Sequence, residues 1–479
     1  MSDTTQIYSR GRVLLINLNH YDQPYPVYPL GLAYVAGALR AAGYTTRIWD
    51  VHRPAQSMTD CATEFRPDFV GLSMRNIDNV QAHNPRSFTQ EVLSYVRQLR
   101  AVTSAPLILG GCGFSIFPRE IFELTGVDYG IQGEGERTLV SLLSALREGR
   151  PLDGIAGLLA RRDDGSTWFQ PRSGAEETFS SEPYHDPEIV RAYVAEGSLP
   201  GVQTQRGCPL KCCYCTYPLI EGTRGRYRTG ADVAREMKRL AELGAKQAFL
   251  VDSVFNTRTE HVVEVCEALL RENVKLAWEC FLRPGAGITP ELLQLMQRAG
   301  LCHVEFGSDS LSDPVLRRYG KSFDFAEIQR VSELAHKIGL RYSHFIIFGG
   351  PGETPDSVEE TIARTTLLPD GFFFATIGMR IYPGTPLWRT VAPEQTGETM
   401  SDYLEKPRFY IEPPLTMESL YQRLEQVKLR APNWALGDPP PEFMETLVKL
   451  RRRGIRANMW EYVELLQRLG GVQIGRAHV

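Results

Sequence analysis

Four of the chain's nine cysteines fall within eight residues of TQRGCPLKCCYCTYP (204–218). Cys208, Cys212 and Cys215 form C-x3-C-x2-C, and Cys213 stands beside Cys212, out of that spacing. A structural zinc site wants four ligands, usually from two C-x2-C pairs, and the sequence has no second pair. Three thiolates on one loop suit a [4Fe–4S] cluster that leaves one iron open to a substrate or cofactor. Zinc and accidental clustering are the competing readings. Tyr214, directly before the third cysteine, could lay its ring against a flat ligand.

Two sets of elements must position this loop. From ~200 onward, apolar runs alternate with amphipathic stretches: GVQTQR, QAFLVD, LAWECF, HVEFGS, YSHFIIFG and FFFATIGMRIYP. Six βα units predict a partial (β/α)6 barrel over 200–392, with function at the carboxyl ends of its strands. Period two sets Glu279 against Trp278 and Cys280, His303 and Glu305 against Val304, and Arg380 against Met379. Helices should cover the outer face, so Glu279, Glu305 and Arg380 are expected inside the barrel. A buried cavity with several charges reads as a site rather than a core. Glu279, His303, His344 and Arg380 are candidates to line it.

Residues 1–150 carry a separate alternating series: RVLLINLN, TTRIWDV, DFVGLSM, APLILGG and YGIQGEGE, with helices between, one of them closed by Gly43. The prediction is an α/β fold with a doubly wound parallel sheet, which binds ligands beyond its strand ends. The loops there are 17–29, SMRNIDN (73–79), GGCGF (110–114) and QGEGER (132–137). Residues 151–199 read as a connector, with a β-hairpin turning at Asp164-Gly165. Residues 393–472 read as a small helical region, and the last seven, 473–479, as a non-native tail.

Composition narrows the function. Hydrophobic content of 43%, charge of 23% and a net charge of −4 describe an ordinary globular protein without a bulk attraction to nucleic acid. The run KLRRRGIR near residue 449 reads as a solvated helix end. No apolar run approaches the ~20 residues of a membrane span, and MSDTTQIYSRGR lacks the apolar core of a signal peptide. A cytoplasmic location follows as an expectation. Thiols stay reduced there, which favours metal binding over disulfides.

C-x3-C-x-aromatic-C after the first barrel strand resembles the signature of the radical SAM superfamily, over roughly residues 200–390. The resemblance is closest to the subgroup with an N-terminal cobalamin-binding (B12) domain, on YPLGLAYVAGALRAAGYTTRIWD and QGEGE. It implies Cys208, Cys212 and Cys215 as ligands of a [4Fe–4S] cluster whose open iron holds S-adenosylmethionine (SAM). Asp252 and Ser253, in LVDSVF, stand where the family usually has a Gly-Gly-Glu-like motif for the methionine amine. EFGSDS resembles a ribose-contacting segment, which makes Glu305 and Ser310 candidates. FIIFGGPGET resembles an adenine-contacting turn, with Gly349, Gly350 and Glu353. Tyr214 becomes the ring beside SAM. Cobalamin is expected against Asn19, Ser73, Arg75, Asn76, Gly110, Gly111, Gly133 and Glu134. DVHRPA imitates the start of a mutase Asp-x-His motif, but it follows the second strand and has Ala55 where the glycine belongs; it reads as coincidence.

The resemblance implies reductive cleavage of SAM, hydrogen abstraction by a 5′-deoxyadenosyl radical and methyl transfer from methylcobalamin to an unactivated carbon. An electron donor such as flavodoxin or ferredoxin is implied as partner, with a small-molecule or lipid-like substrate. PYPVYPLGLAYVAG and GLSMRNIDN resemble a lipid-biosynthesis branch. The alternatives are a non-methylating cyclase or oxidative rearrangement enzyme with the same cofactors, and a non-catalytic cobalamin- or redox-responsive binding protein.

Overall fold

The computed structural model describes residues 10–21, 26–172, 181–391 and 397–437, together with Phe179 and four residues between 445 and 450. The helices expected beyond residue 437 and the tail at 473–479 lie outside the described residues.

Seven strands build the first sheet: β1 (Arg12–Asn17), β2 (Thr45–Asp50), β3 (Phe69–Ser73), β4 (Leu107–Gly110), β5 (Tyr129–Ile131), β6 (Leu158–Arg161) and β7 (Thr167–Phe169). Their order is β2-β1-β3-β4-β5-β6-β7. The first five pair in parallel, while β6 and β7 pair antiparallel. The hairpin expected in the connector therefore extends this sheet. Apolar runs form these strands because both faces are covered. Leu14, Ile16, Val70 and Leu72 enter one core, and Val13, Leu15 and Ile108 enter the other. The order reverses beside β1 and β3, which opens a crevice at the ends carrying Asn19 and Ser73. The Leu18 N–H donates to the Ser73 carbonyl at 3.1 Å and ties those two loops.

A second sheet follows. Its strands are β8 (Gly201–Val202), β11 (Gln247–Leu250), β12 (Ala277–Leu282), β13 (Leu301–Asp309), β14 (Arg341–Phe348), β15 (Phe372–Ile377) and β18 (Trp434–Leu436). They pair in parallel in chain order, and the sheet stays open between β8 and β18. Between them lie two short antiparallel ribbons, β9 (Gln205–Arg206) with β10 (Arg226–Tyr227), and β16 (Met379–Arg380) with β17 (Phe409–Tyr410). The region expected to be helical thus adds two strands, and β18 is a seventh strand of the partial barrel.

Two expected strands are broken for visible reasons. GVQTQR divides into β8 and β9 because the Asp252 carboxylate takes the backbone N–H groups of Thr204 (2.7 Å) and Gln205 (3.0 Å). FFFATIGMRIYP divides at Gly378 into β15 and β16.

The two sheets share one core. Residues of the first sheet pack with Val315, Tyr319, Met379, Ile381, Leu387 and Tyr403 from the second. They meet through their carboxyl-end loops. Helix Cys112–Ile116 after β4 packs on helix Tyr217–Ile220 after the cysteines, and Asp78 after β3 pairs with Arg380 after β15 (2.9 Å). Among the described residues no helix is long and apolar enough to cross a membrane.

Candidate active site

The ribbon of β9 and β10 carries the cysteine loop, residues 207–225, at the carboxyl end of β8. Its base is fixed by hydrogen bonds: Gly207 N–H donates to Glu221 Oε2 (3.1 Å) and Cys208 N–H to the Gly222 carbonyl (3.0 Å). Cys208 is buried, Cys212 and Cys215 partly so. Burial, with the neighbouring thiols of the set, pushes the Cys212 thiol up and the Cys215 thiol to about 12, against the lowering pull of the Lys321 charge. Thiolates so placed require adjacent positive charge, which suits the irons of a cluster. Cys213 turns away. Its Sγ meets Met379 Sδ at 3.9 Å, its N–H donates to the Tyr319 carbonyl (2.9 Å), and its carbonyl accepts from Leu387 N–H (2.8 Å).

Tyr214 donates its hydroxyl to Asp309 Oδ2. Asp309 also pairs with the buried Lys321 ammonium, which donates to the Gly307 carbonyl at 3.1 Å. Burial works against the Lys321 charge, but Asp309 and Cys212 beside it hold its pKa above the usual value. Asp309 and Lys321 escaped the sequence reading. Asp309 sits at a register irregularity of β13 with φ of 63°, and nothing local in the sequence marks that geometry.

Asp252 is fully enclosed. Besides two backbone N–H groups it accepts from Thr204 Oγ1 (2.6 Å), a hydroxyl that lies 2.9 Å from His261 Nε2. Burial lifts the Asp252 carboxyl to about 7 against those hydrogen bonds, and burial lowers His261 to about 4. Ser253 beside it is half-buried.

Inside the sheet the alternation holds. Trp278, Cys280 and Leu282 pack outward under the helices with Val233, Met237 and Val262, so Glu279 and Glu305 face inward. Glu305 shares that interior with Phe249, Phe281, Phe345 and Phe374, half-buried rings that meet edge to face. Glu279 lies at the amino end, where Gln247 Nε2 donates to it and His303 Nε2 is 3.2 Å from Ser343 Oγ. These polar groups sit at the opposite end from the cysteines.

Three expectations need correction. His344 faces outward, stacked between Phe306 and Phe373 with its nitrogens on Ser308 (2.8 Å) and Ser332 (3.1 Å). Arg380 leaves the barrel interior because the chain breaks before it. Its guanidinium holds Asp78 and the carbonyls of Ile381, Tyr403 and Arg408. Ser310 is buried and turns to Thr361 Oγ1 (3.3 Å) and the Ser312 N–H (3.2 Å).

At the glycine turn after β14, Glu353 accepts from Gly349 N–H, and Gly350 N–H donates to the Tyr319 hydroxyl at 3.1 Å. Burial pushes the Glu353 carboxyl up to about 8. Its Oε1 is buried without a hydrogen-bond partner, a polar atom left for a bound group to meet.

On the facing loops, Asn19 is buried and its Oδ1 likewise lacks a partner. Ser73 and Asn76 are half-buried, and exposed Arg75 donates to Asn76 Oδ1 (2.6 Å). The Arg75 backbone lies against the helix Cys112–Ile116, where a Cβ on Gly113 would be 3.0 Å from the Arg75 carbonyl. The glycines approach protein here. A Cβ on Gly110 would lie 3.3 Å from the Ile131 carbonyl, on Gly111 2.5 Å from the Met74 carbonyl, and on Gly133 2.3 Å from the Arg172 guanidinium. Glu134, expected against cobalamin, is instead taken up by Arg172, Arg206 and Arg226. Asp50 of the mutase-like triplet is occupied by Asn17 (3.1 Å), Tyr193 (2.7 Å) and the His52 N–H (3.0 Å). Three thiols on one loop are the donor set a cluster needs, although among the described residues no group of three or more metal-ligating side chains is already gathered; buried polar atoms without partners lie on both sides, at Glu353 and Asn19.

A model of the radical SAM superfamily matches residues 202–365, and a model of the B12 binding domain matches residues 22–143. The chain joins a B12-binding domain to a radical SAM domain. The chain is 26% identical to tryptophan 2-C-methyltransferase of Streptomyces laurentii, over 81% of its own length and 76% of the relative's. It is 24% identical to hopanoid C-3 methylase of Methylococcus capsulatus, over 82% of its length and 76% of that protein's. The structure of the radical S-adenosylmethionine methyltransferase TsrM from Kitasatospora setae, with cobalamin and a [4Fe–4S] cluster bound, matches at a TM-score of 0.82 and 24% identity. That match covers 96% of this chain and 98% of the other, which establishes a common fold.

Proposed function

We propose that the chain is a cobalamin-dependent radical SAM enzyme that methylates an unactivated carbon of a small-molecule substrate. The observation that carries this reading is the meeting of the two sheets through their carboxyl-end loops, the cysteine loop on one side and Asn19, Ser73 and Arg75 on the other. Bound there, the cluster, SAM and cobalamin supply electron transfer, radical generation and the methyl group.

The chain's own residues hold and shield that chemistry. Cys208, Cys212 and Cys215 hold the cluster. Tyr214, fixed by Asp309, forms a wall beside the open position, and Lys321 places a positive charge against the thiolates. Asp252 fixes the break before the cysteine loop through Thr204 and Gln205. Gly349, Gly350 and Glu353 offer a surface for the adenine. The half-buried phenylalanines of the interior support an apolar, lipid-like substrate, with Glu305 as a polar anchor. A low-potential donor such as flavodoxin or ferredoxin supplies electrons.

Anaerobic reconstitution tests this reading. The expected result is about four irons per chain, one corrin per chain, and SAM consumed only under reduction. A chain that binds corrin but leaves SAM intact under reduction is a binding protein, and the proposal fails.

A further inference from the structure

Glu134 stands three residues beyond β5, in the loop facing the cysteines, and three arginines from two other segments converge on it. Arg172 Nη2 lies 3.3 Å from Oε1, Arg206 Nη1 3.0 Å from Oε2, and Arg226 Nη1 2.9 Å from the same oxygen. Arg226 grips both oxygens, a fork that fixes orientation as well as distance. Arg206 and Arg226 are direct partners across the β9–β10 ribbon, so their side chains share one face. That ribbon frames the cysteine loop, and Arg206 is two residues before Cys208. Arg206 is held in turn by Glu136 Oε1 (2.5 Å) and by the faces of Phe179 (4.1 Å) and Tyr34 (4.9 Å).

We infer that Glu134 is a positioning residue: it locks the loop after β5 to the ribbon that carries the cluster ligands, and so sets the separation of the two cofactors. The inference rests on the two-cofactor reading above. A buried ion cluster is a poor device for stability alone, because desolvating the charges offsets most of their attraction. What it supplies is a defined geometry between the loop after β5 and the ribbon, to which Glu136 adds a second tie through Arg206. Burial raises the Glu134 carboxyl, but the Arg226 hydrogen bonds and the Arg206 charge outweigh it and hold the group at about 2. The carboxylate therefore stays ionised, and the lock closed, at neutral pH.

The test uses the holoenzyme with cob(II)alamin and reduced cluster, two paramagnetic centres whose separation pulsed EPR reads. Glu134→Gln is expected to lengthen or broaden the distance distribution while iron and corrin content stay at wild-type levels. Glu236→Gln is the control, since it removes a buried carboxylate paired with His185 and Arg228 without touching the contact between the loop after β5 and Arg206 or Arg226. Both variants should lower the melting temperature, but only Glu134→Gln should move the distance. An unchanged distance in Glu134→Gln, or an equal change in Glu236→Gln, overturns the inference and leaves the functional reading intact. Absence of cluster or corrin from the wild-type chain overturns the reading and the inference with it. If Glu134→Gln does not fold, Arg226→Lys removes the two-pronged grip on Glu134 from the ribbon side, and the same broadening is expected; an unchanged distance there overturns the inference.

Discussion

Cys208, Cys212 and Cys215 differ from Cys213 in direction as well as spacing, and iron content reads that difference. Changing any of the three to Ala is expected to abolish the cluster, whereas Cys213→Ala should retain about four irons per chain; loss in that variant would contradict the ligand set. Glu353 makes a second prediction. Its folded value of about 8 lies above the ordinary 4.5, so the folded chain keeps a proton that the unfolded chain releases. The carboxyl stabilises the fold at low pH, and the contribution is lost as pH rises through about 8. Glu353→Gln should flatten this part of the decline in melting temperature between those values, and an unchanged slope would show that the group ionises freely. The cysteines were legible because their ligand geometry is local. Arg380, Ser310 and Glu134 were not, because what occupies them is distant. Arg380 is 302 positions from Asp78, and period two says nothing about a strand that breaks before the residue of interest.

Among the elements, the strands of both sheets follow from apolar runs buried on both faces, and most appear where those runs are. The breaks follow from single side chains. Asp252 steals the N–H groups that would have continued β8, a competition invisible until the second strand is placed beside the first. β17 and β18 were missed because two- and three-residue strands carry no periodicity. The cysteine loop depends on Gly207, with φ of 87° and a would-be Cβ 2.1 Å from the Arg224 carbonyl. Gly207→Ala should cost about 1–3 kcal/mol from the backbone conformation alone. Iron content after reconstitution should fall below about half of wild type, as expected when the loop cannot close; full loading would show that the loop is not built on this turn.

For the molecule as a whole, the succession of two alternating series made the order of the two halves readable. Their docking was not readable, because it rests on Asp78 with Arg380, on the arginines around Glu134 and on a core drawn from both sheets. Arg380→Met removes one partner of a buried pair and should destabilise the chain by about 3–5 kcal/mol, seen by calorimetry or denaturant titration. A variant of wild-type stability would return Arg380 to the list of substrate contacts. The central claim is methyl transfer to carbon, and the most direct measurement follows the methyl group. The reconstituted chain, reduced anaerobically with methyl-labelled SAM in the presence of a small-molecule extract, should place label on a carbon of an extracted compound, and the Cys208→Ala chain should not. Label confined to SAM and its breakdown products, in a chain that holds both cofactors and cleaves SAM, would contradict the methyltransferase account.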